Sequence, residues 1–251
     1  MTKRIAIAGK GGTGKTTLSA LIIRYLIEEK KDVSILAVDA DANANLNEAL
    51  GVEVHHTIGT ILEDTKKPDA VPTGMTKDIF IEYRLSQAMV EEDAYDLVVM
   101  GNPQGPGCYC YPNDLLKNYL EKLSKNYDYM VIDNEAGLEH LSRRLLPSVD
   151  LLLVTSDATA RGVRSAGRVR DIVDNVKIAV SKMGLIIGRS RPGEADELKG
   201  EIEKTGLDFF GEVTNDPQVA EYDLKGKALL ALPDDAVAVK STREIFKALD
   251  L

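Results

Sequence analysis

The sequence predicts an α/β fold: one domain over residues 1–251, with a mostly parallel central sheet and helices on both faces. Three observations carry this expectation. Short apolar runs alternate along the chain with amphipathic helical patterns. The apolar runs are continuous, not alternating, as in strands covered on both sides. The first run also ends in a glycine-rich turn that opens directly into a helix.

The elements follow in order. Arg4–Ala8 reads as a buried strand, and Lys15 to Lys30 as an amphipathic helix. Further strands are expected at Val33–Val38, Tyr95–Met100, Tyr129–Asp133, Asp150–Thr155, Leu185–Ile187 and Leu207–Val213. Helical patterns fill the gaps at Asn113–Asn126, Leu138–Leu146, Ala160–Lys182, Glu194–Thr205 and Lys240–Leu249. The segment from Val52 to Glu92 carries Pro68, Pro72, Gly74 and mixed charge, with Ile79–Tyr83 as its one candidate strand. Nothing in that segment has the composition of an interdomain linker.

Composition excludes several classes. At 251 residues and 44% hydrophobic content, the chain can bury a sizeable core without staples. Its two cysteines, Cys108 and Cys110, are one residue apart, so a disulfide scaffold is ruled out. With 31 basic and 40 acidic residues the net charge is −9, which argues against a nucleic-acid partner recruited by overall charge. The longest helical apolar stretch, Leu18–Ile27, is broken by Arg24 and falls short of the ~20 residues a membrane span requires. No secretory apolar region follows Met1. The expected location is the cytoplasm, away from the membrane, with the thiols reduced.

Gly9-Lys10-Gly11-Gly12-Thr13-Gly14-Lys15-Thr16 satisfies G-x-x-x-x-G-K-[ST] between a strand and a helix. Glycines let the backbone N–H groups wrap phosphates, and the helix N-terminus adds a favourable dipole. Lys15 reaches the β- and γ-phosphates, and the Thr16 hydroxyl ligates Mg²⁺. The domain is therefore expected to be a P-loop NTPase. Val38-Asp39-Ala40-Asp41 ends the second strand with two carboxylates two residues apart. One can address Mg²⁺ or its waters, the other an attacking water. Met130-Val131-Ile132-Asp133 is an apolar strand ending in a metal-directed aspartate. Asn134-Glu135-Ala136-Gly137 then completes D-x-x-x-G, with the Gly137 N–H placed to sense the γ-phosphate. Cys108-Tyr109-Cys110 sits in a Pro/Gly-rich turn. It reads as thiolate ligands for Zn²⁺, Ni²⁺ or Cu⁺, as a redox pair, or as small residues filling a turn. As ligands, two cysteines fill half a tetrahedral site, which a two-fold axis would complete.

The run Gly9-Lys10-Gly11-Gly12-Thr13-Gly14-Lys15-Thr16-Thr17 resembles the deviant Walker A motif of the MinD/ParA/nitrogenase-iron-protein class of dimeric ATPases. The resemblance implies that Lys10 reaches the partner's nucleotide, that hydrolysis is slow and coupled to dimerisation, and that Asp41 orients the hydrolytic water with Asp39 nearer the metal. With Cys108-Tyr109-Cys110, Asp133-Asn-Glu-Ala-Gly-Leu-Glu-His140, Gly211 to Pro217 and Leu224-Lys-Gly226, the chain resembles one branch more closely. That branch is the nickel-insertion accessory ATPases of carbon monoxide dehydrogenase, the CooC-type proteins, with the related acetyl-CoA synthase maturation factors. It implies ATP/ADP and Mg²⁺ as cofactors, and Ni²⁺ or Zn²⁺ bridged between protomers. It also implies a homodimer governed by ATP and metal, and one of those two enzymes as client. Relatives commonly carry Asn-Lys after the strand at Leu185–Ile187, with the asparagine reading adenine. This chain has Gly188-Arg189, leaving Arg189 to stack on the base and Asn215 to read its edge.

Weaker signals have plainer readings. His55-His56 reads as an exposed loop pair, and His140 as a possible second-switch contact. Arg161, Arg164 and Arg168 read as a solvated or dimer-facing stripe rather than a DNA patch, given the net charge of −9. Lys240 to Leu251 is expected to pack on the domain and not on a membrane.

Overall fold

The computed structural model describes residues 1–65, 67, 70–102, 110–135 and 148–251, with 62, 77, 78 and 110–116 described by backbone alone. The described residues form one sheet of eight strands: β1 (Lys3–Gly9), β2 (Ile35–Asp39), β3 (Met89–Glu91), β4 (Asp96–Val99), β5 (Tyr129–Asp133), β6 (Ser148–Asp157), β7 (Ala179–Ser190) and β8 (Asp208–Thr214). Their spatial order is β3-β4-β2-β5-β1-β6-β7-β8. Every neighbouring pair is parallel except β3 with β4.

Central strands read as continuous apolar runs because alternate residues serve two different cores. In β1, Ile5 and Ile7 join one core while Ala6 and Ala8 join the other; in β2, Ile35 and Ala37 oppose Leu36 and Val38. The first core lies under α1 (Lys15–Glu29), α2 (Leu46–Leu50) and α10 (Val237–Ala248). The second is covered by α3 (Ile58–Asp64), α4 (Lys77–Ser86), α5 (Cys110–Leu123), α6 (Ala160–Val176) and α8 (Lys199–Thr205). Two short helices, α7 (Glu194–Glu197) and α9 (Pro217–Leu224), complete the described α-helices. The α/β class, the parallel sheet and the two helical layers are as the sequence predicts.

Parallel alignment has a functional consequence: the C-terminal strand ends gather on one edge. Register pairs Asp39 with Asp133 across β2 and β5, and Gly9 with Thr155 across β1 and β6. In open parallel sheets the crevice outside these ends is where ligands bind.

Three local expectations are corrected. Ile79–Tyr83 is not a strand but the middle of α4, which the Thr76 side chain caps by accepting from the Ile79 N–H. Ile81 is buried between exposed Ile79 and Tyr83, whereas a strand would put all three on one face. The helix expected over 160–182 stops at Val176, because Lys177 turns left-handed at φ 55° and ψ 45°, and β7 begins at Ala179. The first half of β7 is largely exposed, so the apolar pattern missed it. The 194–205 helix divides at Leu198 into α7 and α8. No apolar pattern in the sequence marked α2, α3, β3 or α9. The helix expected at Leu138–Leu146 lies outside the described residues.

The C-terminal helix packs as expected. Ala238, Val239, Thr242, Ile245 and Phe246 of α10 are buried against the domain. Arg24 on α1 donates to Glu28, to Asp234 and to the Leu232 carbonyl, while Arg243 on α10 pairs with Glu28. Among the described residues no helix is long and apolar enough to cross a membrane. Phe246 is fully buried and meets the Tyr25 ring edge-on, with centroids 5.4 Å apart. Phe246→Ala should cost about 3–5 kcal/mol of stability by opening a cavity between α10 and α1. Denaturant unfolding followed by circular dichroism checks this.

Candidate nucleotide site

The glycine-rich turn leaves the C-terminal end of β1 and enters α1. Gly9 is required by close approach: a Cβ there would lie 2.4 Å from Thr155 Oγ1 and 2.5 Å from the Thr155 carbonyl oxygen. Gly14, at φ 87° and ψ 24°, sets the left-handed step that admits the chain to α1. Thr13 fastens the turn from inside: its hydroxyl donates to the Lys10 carbonyl at 2.8 Å and lies 2.7 Å from Thr155 Oγ1. Lys15 is buried, with Nζ 3.4 Å from the Lys10 carbonyl. Burial lowers its pKa, against the opposing pull of Asp133, Asp41 and Glu135. Lys10, by contrast, is exposed, as are Gly11 and Gly12; Thr16 and Thr17 are half-buried.

Three carboxylates stand beside this turn. Asp133 is almost wholly buried, with Thr16 and Ser19 hydroxyls and the Lys15 ammonium as its polar surroundings; burial nevertheless pushes its pKa up to about 6. Its Oδ1 is buried with no hydrogen-bond partner. An orphaned carboxylate oxygen beside a threonine hydroxyl suits a hard divalent cation such as Mg²⁺, which takes oxygen ligands. Asp39 is fully buried, and burial raises its pKa to about 7. Its Oδ1 accepts from the Asp41 N–H at 3.0 Å and its Oδ2 from the Leu46 N–H at 2.8 Å. Asp41 Oδ1 accepts from both the backbone and side-chain nitrogens of Asn43, at 2.8 and 2.9 Å.

Two adjoining hollows share the turn. One, of about 250 Å³, is walled by Leu18, Leu21, Ile186, Val213, Val219 and Ala238. Its apolar walls and its place beside Gly14 suit a nucleobase. The other exposes Gly11, Gly12, Lys15 and Thr16 together with Asp41, Asn43 and Asn45, and suits a chain of phosphates. Arg189 borders both hollows, held at φ 55° where the β7 pairing is irregular, and Asn215 borders the apolar one. Gly188 is again a matter of space, since a Cβ would lie 2.8 Å from the Thr13 carbonyl oxygen.

Motif reading missed several bordering residues: Thr155, Asn43, Asn45, Glu48, Asp216, Asp223 and Lys227. Asp216 carried a signal, since Asp before Pro217 is a helix-opening pair. Its Oδ1 accepts from Gln218 N–H in α9 at 2.9 Å and its Oδ2 from Ala238 N–H in α10 at 3.0 Å. Gly137, Cys108 and His140 lie outside the described residues; Cys110 opens α5, but its side chain is not among those described. His55 and His56 are exposed, with His55 Nδ1 3.9 Å from Glu53. No group of three metal-capable side chains occurs among the described residues.

The two raised carboxyls set a pH dependence. Between the ordinary value of 3.8 and the folded values of about 6 and 7, the folded protein holds protons that the unfolded chain has released. Stability from this source is therefore full below 3.8 and is lost as pH rises through 6 and 7. The nucleotide-free protein should melt higher at about pH 5 than at about pH 8. Asp133→Asn should shrink that difference, which scanning calorimetry would measure.

Comparison with known proteins agrees with this geometry. Residues 5–230 match the family model described as the CobQ/CobB/MinD/ParA nucleotide-binding domain. An uncharacterized ATP-binding protein of Methanocaldococcus jannaschii is 41% identical over 244 residues, covering 96% of each chain. The carbon monoxide dehydrogenase accessory protein CooC of Rhodospirillum rubrum is 29% identical over 187 residues, covering 70% of each. Among solved structures, the septum site-determining protein MinD of Pyrococcus horikoshii, complexed with Mg-ADP, superposes with a TM-score of 0.73 at 20% identity, covering 100% of this chain and 96% of that one. The chain belongs to the CobQ/CobB/MinD/ParA family of nucleotide-binding ATPase domains.

Proposed function

We propose that this protein is a cytoplasmic, ATP-dependent metallochaperone that assists nickel insertion into carbon monoxide dehydrogenase or acetyl-CoA synthase. The observation that carries the reading is the Cys108-Tyr109-Cys110 pair in a chain similar to the CooC accessory protein over 70% of its length. The chain works as one ATPase domain. Gly9 to Thr17 cradle the phosphates, Lys15 neutralises the β- and γ-oxygens, and the Thr16 hydroxyl and Asp133 hold Mg²⁺. Bound Mg²⁺ supplies further charge neutralisation across those oxygens. Asp41 orients the attacking water, and Gly137 senses the γ-phosphate. Exposed Lys10 is free to reach the nucleotide of a partner protomer, and Arg189 and Asn215 hold the base.

ATP draws two protomers together, and Cys108 and Cys110 from each then surround one Ni²⁺ or Zn²⁺ ion as cargo. Conversion of ATP to ADP loosens the dimer and releases the metal toward the client. Such coupling is reciprocal, so metal and ATP each strengthen the other's binding. No nucleic acid or membrane takes part in this scheme.

A second reading, a partition or positioning ATPase acting without metal, draws on Arg161, Arg164 and Arg168, all exposed on α6. Part of that stripe is engaged within the chain, since Arg164 pairs with Glu201 at 3.1 Å and Arg168 donates to Ser165 at 2.8 Å. Replacing both cysteines by serine separates the two. Under the metallochaperone reading the variant loses about one Ni²⁺ or Zn²⁺ per dimer, by the four-ligand arithmetic, while ATP binding persists. A non-hydrolysable ATP analogue should tighten metal binding to the unmodified protein. Stoichiometric metal retained by the serine variant, or metal affinity indifferent to the analogue, would reject the reading.

A further inference from the structure

Asp39 is fully buried, yet each of its carboxylate oxygens already accepts a backbone N–H, from Asp41 at 3.0 Å and from Leu46 at 2.8 Å. Leu46 is the first residue of α2, whose own N-cap residue, Asn45, makes no side-chain cap. Asp39 therefore caps a helix that begins seven residues further along the chain. The intervening loop includes Ala44 at φ 52°, a left-handed conformation an alanine adopts only when its surroundings hold it there. Asn45, Glu48 and Ala49 border the phosphate hollow beside Lys15, Thr16 and Asp41, so α2 is one wall of that hollow. The other end of α2 is also braced. Gly51 closes the helix at φ 74°, and a Cβ there would lie 2.7 Å from the Cβ of Ala228.

We propose that Asp39 is a positioning residue and not a magnesium ligand: it ties the Asp41 loop to α2, which Ala228 braces from the far end, so that loop and helix move as one wall of the phosphate hollow. This rests on the ATPase reading above and reassigns Asp39, which the family resemblance puts nearer the metal. Each oxygen keeps a second lone pair, but rotating the carboxylate to bring it onto a metal would pull it off a buried backbone N–H, at a helix start that Asn45 does not cap. Asp133, with its orphaned Oδ1, needs no such exchange.

The test is Asp39→Asn. The amide keeps one acceptor oxygen and turns an NH₂ toward the second N–H, so one tie is lost. In the nucleotide-free protein, amide exchange over residues 41–50 should speed up about tenfold or more, with α1 protection unchanged. Steady-state ATPase should show kcat down about tenfold, while the half-saturating Mg²⁺ concentration stays within about twofold of the parent. Asp133→Asn serves as the contrast, since its half-saturating Mg²⁺ must rise. A tenfold rise in half-saturating Mg²⁺ for Asp39→Asn with unchanged exchange would overturn the proposal and make Asp39 a ligand. If Asp39→Asn does not fold, Ala228→Val presses on α2 from its other end. It should speed exchange in α2 and lower kcat at unchanged Mg²⁺ dependence; no change in either would overturn the coupling. A parent protein without Mg²⁺-dependent ATPase would refute the functional reading alone, because the exchange measurement needs no nucleotide.

Discussion

The nucleotide end of this molecule depends on the contact between the last residue of β1 and a residue near the C-terminal end of β6. The two strands run parallel at hydrogen-bonding distance, and Gly9 pairs with Thr155 in register. With no side chain at position 9, the Thr155 hydroxyl reaches Thr13, and through Thr13 the Lys10 carbonyl. The shape of the glycine-rich turn is thus set by a neighbouring strand as well as by its own glycines. Gly188 at the end of β7 repeats the arrangement one strand further on, lying against the Thr13 carbonyl. Two glycines far apart in sequence make room for the same threonine.

Around that turn the protein buries more charge than it neutralises. Asp39 and Asp133 sit opposite one another on adjacent strands, with the Lys15 ammonium as the one buried counter-charge nearby among the described residues. Hydrogen bonds from hydroxyls and backbone N–H groups offset part of the desolvation, and raised pKa values record the remainder. The site is accordingly most stable with a proton or a cation in place. Marginal stability of this kind is common where a ligand completes an electrostatic arrangement that the fold alone leaves open.

Much of this was legible in the sequence because the signals were local. The glycine-rich turn, the aspartates at the ends of β2 and β5, and the continuous apolar strands each reveal themselves within a few residues. What stayed hidden depends on contacts distant in sequence. The α2 cap comes from Asp39, not from Asn45. The β7 strand begins at Ala179 among residues too exposed to show an apolar pattern. In α4, Ile79, Ile81 and Tyr83 alternate with other residues as a strand would, and only the burial of Ile81 alone among them reveals a helix. Asp216 opens α9 in the usual way of Asp before Pro, yet it also accepts from the start of α10, a second role that only the folded chain reveals.

That last feature bears on how the two ends of a bound nucleotide are held. A single carboxylate fastens the starts of α9 and α10, and α10 is strapped to α1 through Arg24, Glu28 and Arg243. The phosphate side is bounded by α2, which Asp39 caps, Ala228 abuts and Leu46, Ala49 and Leu50 anchor in the core beside α1. One cleft therefore has a base jaw and a phosphate jaw, each tied to the same helix, α1. A nucleotide in it would present to the base jaw the part common to its tri- and diphosphate forms, and to the phosphate jaw the part that differs.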